Sequence, residues 1–559
     1  MIDLGCLQGL PPAKADQLLS DGVFSVLGGG LLVAMLLAAG LSVWLRRRYR
    51  QQVVRLMGMD QLASAPARPA AADAVVRRSG PPATDSGHLG TLASAREHRI
   101  TRATAVAWLV FVGLGLWVAG VDPEAGLSSR LGFATAAGLL ALGPALTNLP
   151  PRWSRGALAL GAAACVAGLL VVGLMPEHGP ATAAADDDLS NGETVALVLL
   201  CGAAYLAMFH RSLRGQVLPL FVLLAMGLLV VMLPYGLVEP HAGACLDLAG
   251  QAAEGSPLKS ASTLLLSLVI TASLWLAFRL LGGLVRLIDR GWVSELSLPS
   301  LVSLCVFAMV MVLGQLPEDP DRYSAWATWV PLPWVAATLA AYALALGRPP
   351  AGDHGPQLLV LRVFSEDSRR HGLLDAVQAR WRYVGAVHQI GGPDMVAMNV
   401  DPYESMMFLA NRLHELFLPV AASPAQLQAS LVQQPDREGR YRINEVFCFN
   451  TAWRHTVVQL MQLSDAIALD LRGLTAQREG TSFEIGQLAR HGLLGRVVAL
   501  GDAATDWAHV DRLLQAEGCA PGQLQRIGQD QADPQEALFG LLLQVAAAPA
   551  GQRSTRAAA

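Results

Sequence analysis

The sequence predicts an α-helical polytopic membrane domain followed by a C-terminal α/β domain of the Rossmann-like, doubly wound kind. Three observations predict it. With 53% hydrophobic and only 15% charged residues among 559, the chain is too apolar for an ordinary water-soluble protein. Long apolar stretches fill its first two thirds, and after Arg348 short apolar runs alternate with amphipathic segments.

Because about 20 apolar residues cross a hydrocarbon core, nine spans are expected, over 23–45, 103–121, 131–149, 156–175, 194–210, 216–234, 261–282, 299–315 and 327–346. Lys and Arg near span ends are retained in the cytoplasm. With the N-terminus outside, nineteen such residues fall inside, from the Arg46–Arg47–Arg48 cluster to Arg348, and four outside, Lys14, Arg130, Lys259 and Arg322. The expectation is therefore a multi-pass inner-membrane protein with its C-terminal domain in the cytoplasm. The first span is long, lacks a basic region before it and is followed by arginines, which favours a retained anchor over a cleaved signal.

The domain boundaries follow. Residues 1–57 hold the N-terminal segment and first span, 58–98 read as a flexible cytoplasmic linker rich in Ala, Pro, Ser and Gly, and 99–348 hold spans 2 to 9. The α/β domain covers 356–547, and 548–559 read as a disordered tail. Residues 283–296 fit either an interfacial helix or a polar loop. The span centres carry no Asp, Glu, Lys or Arg, which disfavours transport through a buried charged site. Cys6 and Cys245 are the only cysteines placed outside, where disulfides persist; a bridge between them and a pair of free thiols both remain open.

In the α/β domain, LLVLRVF (358–364) suits a strand buried on both faces. Leu373, Leu374, Val377 and Trp381 then follow at helical spacing. Strands are expected near 385–390 and 395–400, a helix over 403–417, a polar insertion at 422–442 and a helix containing Trp453, Val457 and Leu460. The clearest unit is strand 465–471, helix 481–489, strand 496–500 and helix 507–514. Strands alternating with helices imply a parallel sheet covered on both faces.

Ligands of open α/β sheets sit beyond the carboxyl ends of the strands. There the sequence delivers Asp470 and Arg472 from one strand and Asp502 from the next. GTSFEIG places Gly480 at the helix entry, Thr481 and Ser482 after it, and Glu484 in the first turn. The residues admit two readings: a binding or catalytic site, or Glu484 complementing a helix dipole while Asp502 opens a turn. Arg472 and Arg478 suit phosphate or carboxylate contacts, or are solvated loop charges. Trp453 and Arg454 suit stacking on and pairing with a nucleotide, although a core Trp beside a surface Arg is the commoner arrangement.

The run SDAIALDLRGLTAQREGTSFEIGQLARHGLLGRVVALGD resembles the second half of the nucleoside 2-deoxyribosyltransferase and TIR-like Rossmannoid families. Gly480, Glu484 and Gly486 match their helix-start motif. That resemblance implies Glu484 as nucleophile or stabiliser of an oxocarbenium-like centre, with Asp470 holding sugar hydroxyls; a carboxylate suits either role.

Other chemistries lack a sequence basis. There is no GxxxxGK[ST], HExxH or CxxC, and the histidines have no metal-ligand spacing, so no metal site is expected and no cofactor is identified. A net charge of −3 gives no reason to expect a nucleic-acid partner; the lipid bilayer and a nucleotide or nucleoside ligand are the expected partners. The leading expectation is a membrane-anchored module that binds a nucleotide or related metabolite for signalling. The alternatives are a membrane-tethered N-glycosidic-bond enzyme using Glu484, and a transporter or channel with a regulatory domain.

Overall fold

The C-terminal strands Leu358–Arg362 (β1), Val387–Gly391 (β2), Ile443–Phe447 (β3), Ala466–Asp470 (β4), Val497–Gly501 (β5) and Gln525–Gly528 (β6) form one sheet of order β3-β2-β1-β4-β5-β6, parallel throughout. This is a computed structural model; it describes residues 40–58, 85–119, 331–347, 355–362, 371–391, 402–418 and 422–548, with single positions between 138 and 294. The chain divides into two units. One comprises 47–100, 348–400 and 411–559; the other comprises 1–46, 101–347 and 401–410.

In the first unit three of the four interior strands, β1, β4 and β5, are buried along their whole length, as their Leu, Val, Ile and Ala content requires of a sheet covered on both faces. Successive side chains point to opposite faces. Leu359, Leu361, Ile467, Leu469, Val497 and Ala499 join one core, with Val457, Leu460, Ile485, Leu488, Val510 and Leu514 from the helices Trp453–Leu463 (α7), Glu479–Arg490 (α8) and Trp507–Ala516 (α9). Helices His371–Trp381 (α4) and Pro534–Ala547 (α10) pack together on the opposite face, where Trp381 meets Phe539 edge-on at 6.2 Å. At Gly501 an added Cβ would collide with the Trp507 ring, so only glycine lets α9 start so close to the sheet.

Two stretches that the sequence reading leaves unassigned are strands. β3 follows directly on the expected polar insertion at 422–442 and forms one edge, and β6 closes the other. The helix expected over 403–417 is shorter, Pro402–Leu409 (α5), followed by a 3-10 turn at Leu413–Leu416; Ser423 caps the next helix, Pro424–Ser430 (α6), with a complete capping box. The strand expected at 395–400 lies outside the described residues.

The linker expectation is corrected over its last part. Residues 86–98 are helical, forming the start of a helix over Ser86–Ala119 (α2). Leu89, Ala93, Arg96, Glu97 and Ile100 are buried, a spacing that presents one helical face. Arg96 donates to the Tyr383 carbonyl at 2.9 Å and lies over the Tyr441 ring at 5.4 Å, while Arg99 donates to the Glu438 carbonyl at 3.1 Å. A preceding helix over 40–57 (α1) buries Tyr49, Val53 and Met57 at intervals of four, and Asn450 N donates to the Met57 carbonyl at 3.2 Å. Three segments distant in sequence thus share one folded unit.

In the other unit, the apolar second part of α2 carries Phe111, which stacks on Trp334 of helix Pro331–Leu346 (α3) at 4.7 Å; the Trp334 indole also donates to the Phe111 carbonyl at 3.0 Å. Tyr403 of α5 donates to Asp289 at 2.5 Å. Among the described residues, α2 is the one helix long and apolar enough to cross a membrane, and α3 is a shorter apolar helix. The remaining expected spans, the Cys6–Cys245 pair and the tail from 549 fall wholly or largely outside the described residues.

Candidate functional site

Strand order reverses between β1 and β4, so this is the switch point of a doubly wound sheet, where two crossovers leave in opposite directions and open a crevice at the carboxyl edge. The helices that follow strands of this parallel sheet begin at that edge, among them α7 after β3 and α8 after β4. Neither start is capped by a side chain, whereas α6, α9 and α10 are capped by Ser423, Asp506 and Asp533. Apart from Glu479 N, which donates to the Gln477 carbonyl at 3.1 Å, the first-turn N–H groups of α7 and α8 have no capping side chain among the described residues.

Glu484 belongs to the second turn of α8, not the first, because the helix begins at Glu479. Thr481, expected at the entry, instead turns its side chain into the core with Glu484, Ile485, Leu488 and Ala489. That face looks onto the sheet. Glu484 is 5% exposed, and its Oε2 has no hydrogen-bond partner among the described residues. Burial alone pushes its carboxyl from 4.5 up to about 8. At neutral pH it is a protonated acid that donates through O–H and accepts through C=O.

Asp470 is arranged differently. It accepts from Arg472 Nε and NH2 at 2.8 Å each and from the Arg472 backbone N at 3.2 Å, and both side chains are buried. By strand alternation it leaves the sheet on the α4 and α10 side, in register with Arg362, which pairs with Asp375 of α4 at 3.0 Å. Glu484 comes from the opposite face. The two carboxylates expected to share one pocket thus approach the carboxyl edge from opposite sides of the sheet, and Asp470 and Arg472 bond first to each other.

Asp502 builds a loop. Its Oδ1 accepts from Gly473 N at 2.9 Å, Thr505 Oγ1 at 2.9 Å and Ala504 N at 3.1 Å, tying the loop after β5 to the loop after β4. Ser482 shares a hydrogen bond with His509 Nε2 at 2.9 Å, joining α8 to α9. Packing gives no reason for glycine at 480 or 486: an added Cβ would meet Trp453 at 3.9 Å and Glu517 at 3.8 Å, ordinary contacts.

The structure brings together three residues outside the matched motif positions, of which the sequence reading names Trp453 and Arg454 but not Phe483. Trp453, the first residue of α7, meets Phe483 of α8 edge-on at 5.5 Å, and the exposed Arg454 guanidinium lies over both rings at 5.4 and 5.3 Å. Phe483 escapes a motif reading because it precedes the glutamate; its helical phase toward α7 shows only when α7 is in place.

Two other buried groups are inert. His388 of β2 is held neutral, its imidazole pushed down to about 4 by burial, with Nδ1 3.3 Å from the Asn444 amide. The buried Cys448 thiol is pushed up to about 12, which removes thiolate reactivity. No group of three or more metal-ligating side chains occurs among the described residues. Comparison of the chain with protein-family models, curated proteins and solved structures finds no match.

Proposed function

We propose that this chain is a membrane-anchored protein whose α/β domain binds a nucleotide or related metabolite in the crevice between β1 and β4. The observation that carries the reading is Glu484, a buried acid one of whose oxygens has no partner among the described residues, at the switch-point edge. Buried polar groups are normally paired, and one left open beside two uncapped helix starts is a place for a ligand's polar atoms. Its raised pKa adds to the case, since such shifts cluster at functional sites.

Membrane attachment is supported by the sequence spans and by what the described helices leave exposed. Leu109, Leu116 and Trp117 of α2 and Leu344 of α3 face outward, Leu344 82% exposed, as suits a lipid solvent. The arginine asymmetry supports an external N-terminus and a cytoplasmic α/β domain in the inner membrane.

The second reading is an N-glycosidic-bond enzyme, which the resemblance around Glu484 suggests. The protonated state favours one version of it: Glu484 gives its proton to the departing base as general acid while water bonds to the anomeric carbon and returns a proton to the Glu484 carboxylate.

The test uses the full-length protein in lipid nanodiscs. Nucleotides, nucleosides and ribose 5-phosphate are titrated while free base is followed chromatographically. Saturable binding weakened in Glu484→Leu supports the module; base release abolished in Glu484→Gln supports the enzyme. No saturable binding by any member of the panel contradicts both.

A further inference from the structure

Between the starts of α7 and α8 lies a surface that the motif does not account for. The Trp453 ring is half-buried, Phe483 stands edge-on to it, and Arg454 covers both from the solvent side. Residues four apart on a helix lie on one face, so Gly480, whose missing side chain opens space toward Trp453, sits one turn above Glu484. An aromatic pair and an exposed planar cation thus stand between α7 and α8, and the buried hydrogen-bonding acid follows Phe483 directly in α8.

We infer that Trp453, Phe483 and Arg454 seat the planar heteroaromatic base of a nucleotide, with the Glu484 carboxyl meeting the base's edge. This rests on the reading of the crevice as a nucleotide site and specifies which part of the ligand goes where. Base–aromatic stacking contributes about 1–3 kcal/mol per base and does not depend on sequence-specific contacts. A guanidinium over an aromatic ring adds a second plane on which a base packs. In its protonated form Glu484 presents a donor beside an acceptor, matching the ring nitrogen and amino group of an adenine edge. The uncapped first turns of α7 and α8 suit the phosphate. The glycine at 480 acquires a reason as well: any larger side chain covers the Trp453 ring.

Adenosine monophosphate and ribose 5-phosphate are the probes, titrated into the full-length protein in nanodiscs, with melting temperature recorded for every variant. The wild type is expected to prefer adenosine monophosphate by roughly fivefold to a hundredfold, the stacking contribution expressed as a ratio. Gly480→Leu, which adds only helix-compatible bulk, and Arg454→Ala, at an exposed position, are expected to reduce that ratio toward one while melting temperature holds. Adenosine monophosphate is expected to change tryptophan fluorescence in the wild type, with most of the change lost in Trp453→Phe. A ratio near one in the wild type, or a ratio unmoved in both variants, overturns the base seat and leaves the crevice as a sugar-phosphate site. Failure of both probes to bind overturns the nucleotide reading and the seat with it.

Discussion

Glu484 is the residue whose removal is most informative, and the sign of its effect follows from linkage. The unfolded carboxyl titrates near 4.5 and the folded one near 8. Below 4.5 both states are protonated, and the group contributes its full share of stability. Between 4.5 and 8 the unfolded chain has released a proton that the native state keeps, so stability falls as pH rises, and the loss is complete once pH passes 8. At about 1.4 kcal/mol for each tenfold ratio, the loss is on the order of 5 kcal/mol, large against an ordinary domain stability of about 5–15 kcal/mol. Glu484→Gln keeps the shape and cannot ionise. Urea unfolding of the α/β unit in nanodisc-held protein, read by proteolysis at several pH values, should show a steep decline for the wild type from pH 5 to 9. The variant should show a decline smaller by several kcal/mol. Infrared spectra should show a protonated-carboxyl stretch at pH 6 that fades through pH 8 and is missing in the variant. Parallel stability curves, together with a Glu484 carboxylate already ionised at pH 6, would refute the reasoning.

Other outcomes follow from the same geometry. His388, held at about 4 against 6.5 when unfolded, opposes Glu484: its contribution is lost as pH falls from 6.5 toward 4, by up to about 3 kcal/mol, so His388→Phe should flatten the acid limb of the stability curve. Arg472→Ala leaves Asp470 charged and buried, and should cost about 3–5 kcal/mol in the same unfolding assay. Gly501→Ala pushes a methyl into Trp507 and should cost about 1–3 kcal/mol. Arg96→Ala removes the donor to Tyr383 and the contact with Tyr441, and hydrogen exchange over 86–100 should accelerate at least tenfold.

The sheet's centre was legible in the sequence and its edges were not, for a physical reason. β1, β4 and β5 are covered on both faces, so nearly every position is apolar and the runs stand out; β3 and β6 lie at the margins, where half their positions are partly exposed and carry Asn, Glu, Gln or Arg. The 86–98 helix was hidden because its buried face is built from Ala, Arg and Glu as much as from Leu and Ile. At the site, chain order supplied Asp470, Arg472, Glu484 and Asp502 at the carboxyl edge. It could not supply their orientations: strand alternation turns Asp470 away from the face that Glu484 approaches, and Arg472 lies close enough to bond Asp470 twice. Trp453 and Phe483 are thirty residues apart, and only the pairing of α7 with α8 makes them neighbours.

Photolabelling of the full-length protein with an azido-adenine nucleotide tests the central claim most directly, because it locates the base without assuming a residue. Competition by adenosine monophosphate is expected, with label on the peptides carrying Trp453 or residues 479–490. Competed label elsewhere, such as the β6 edge or the α4 and α10 face, would contradict it.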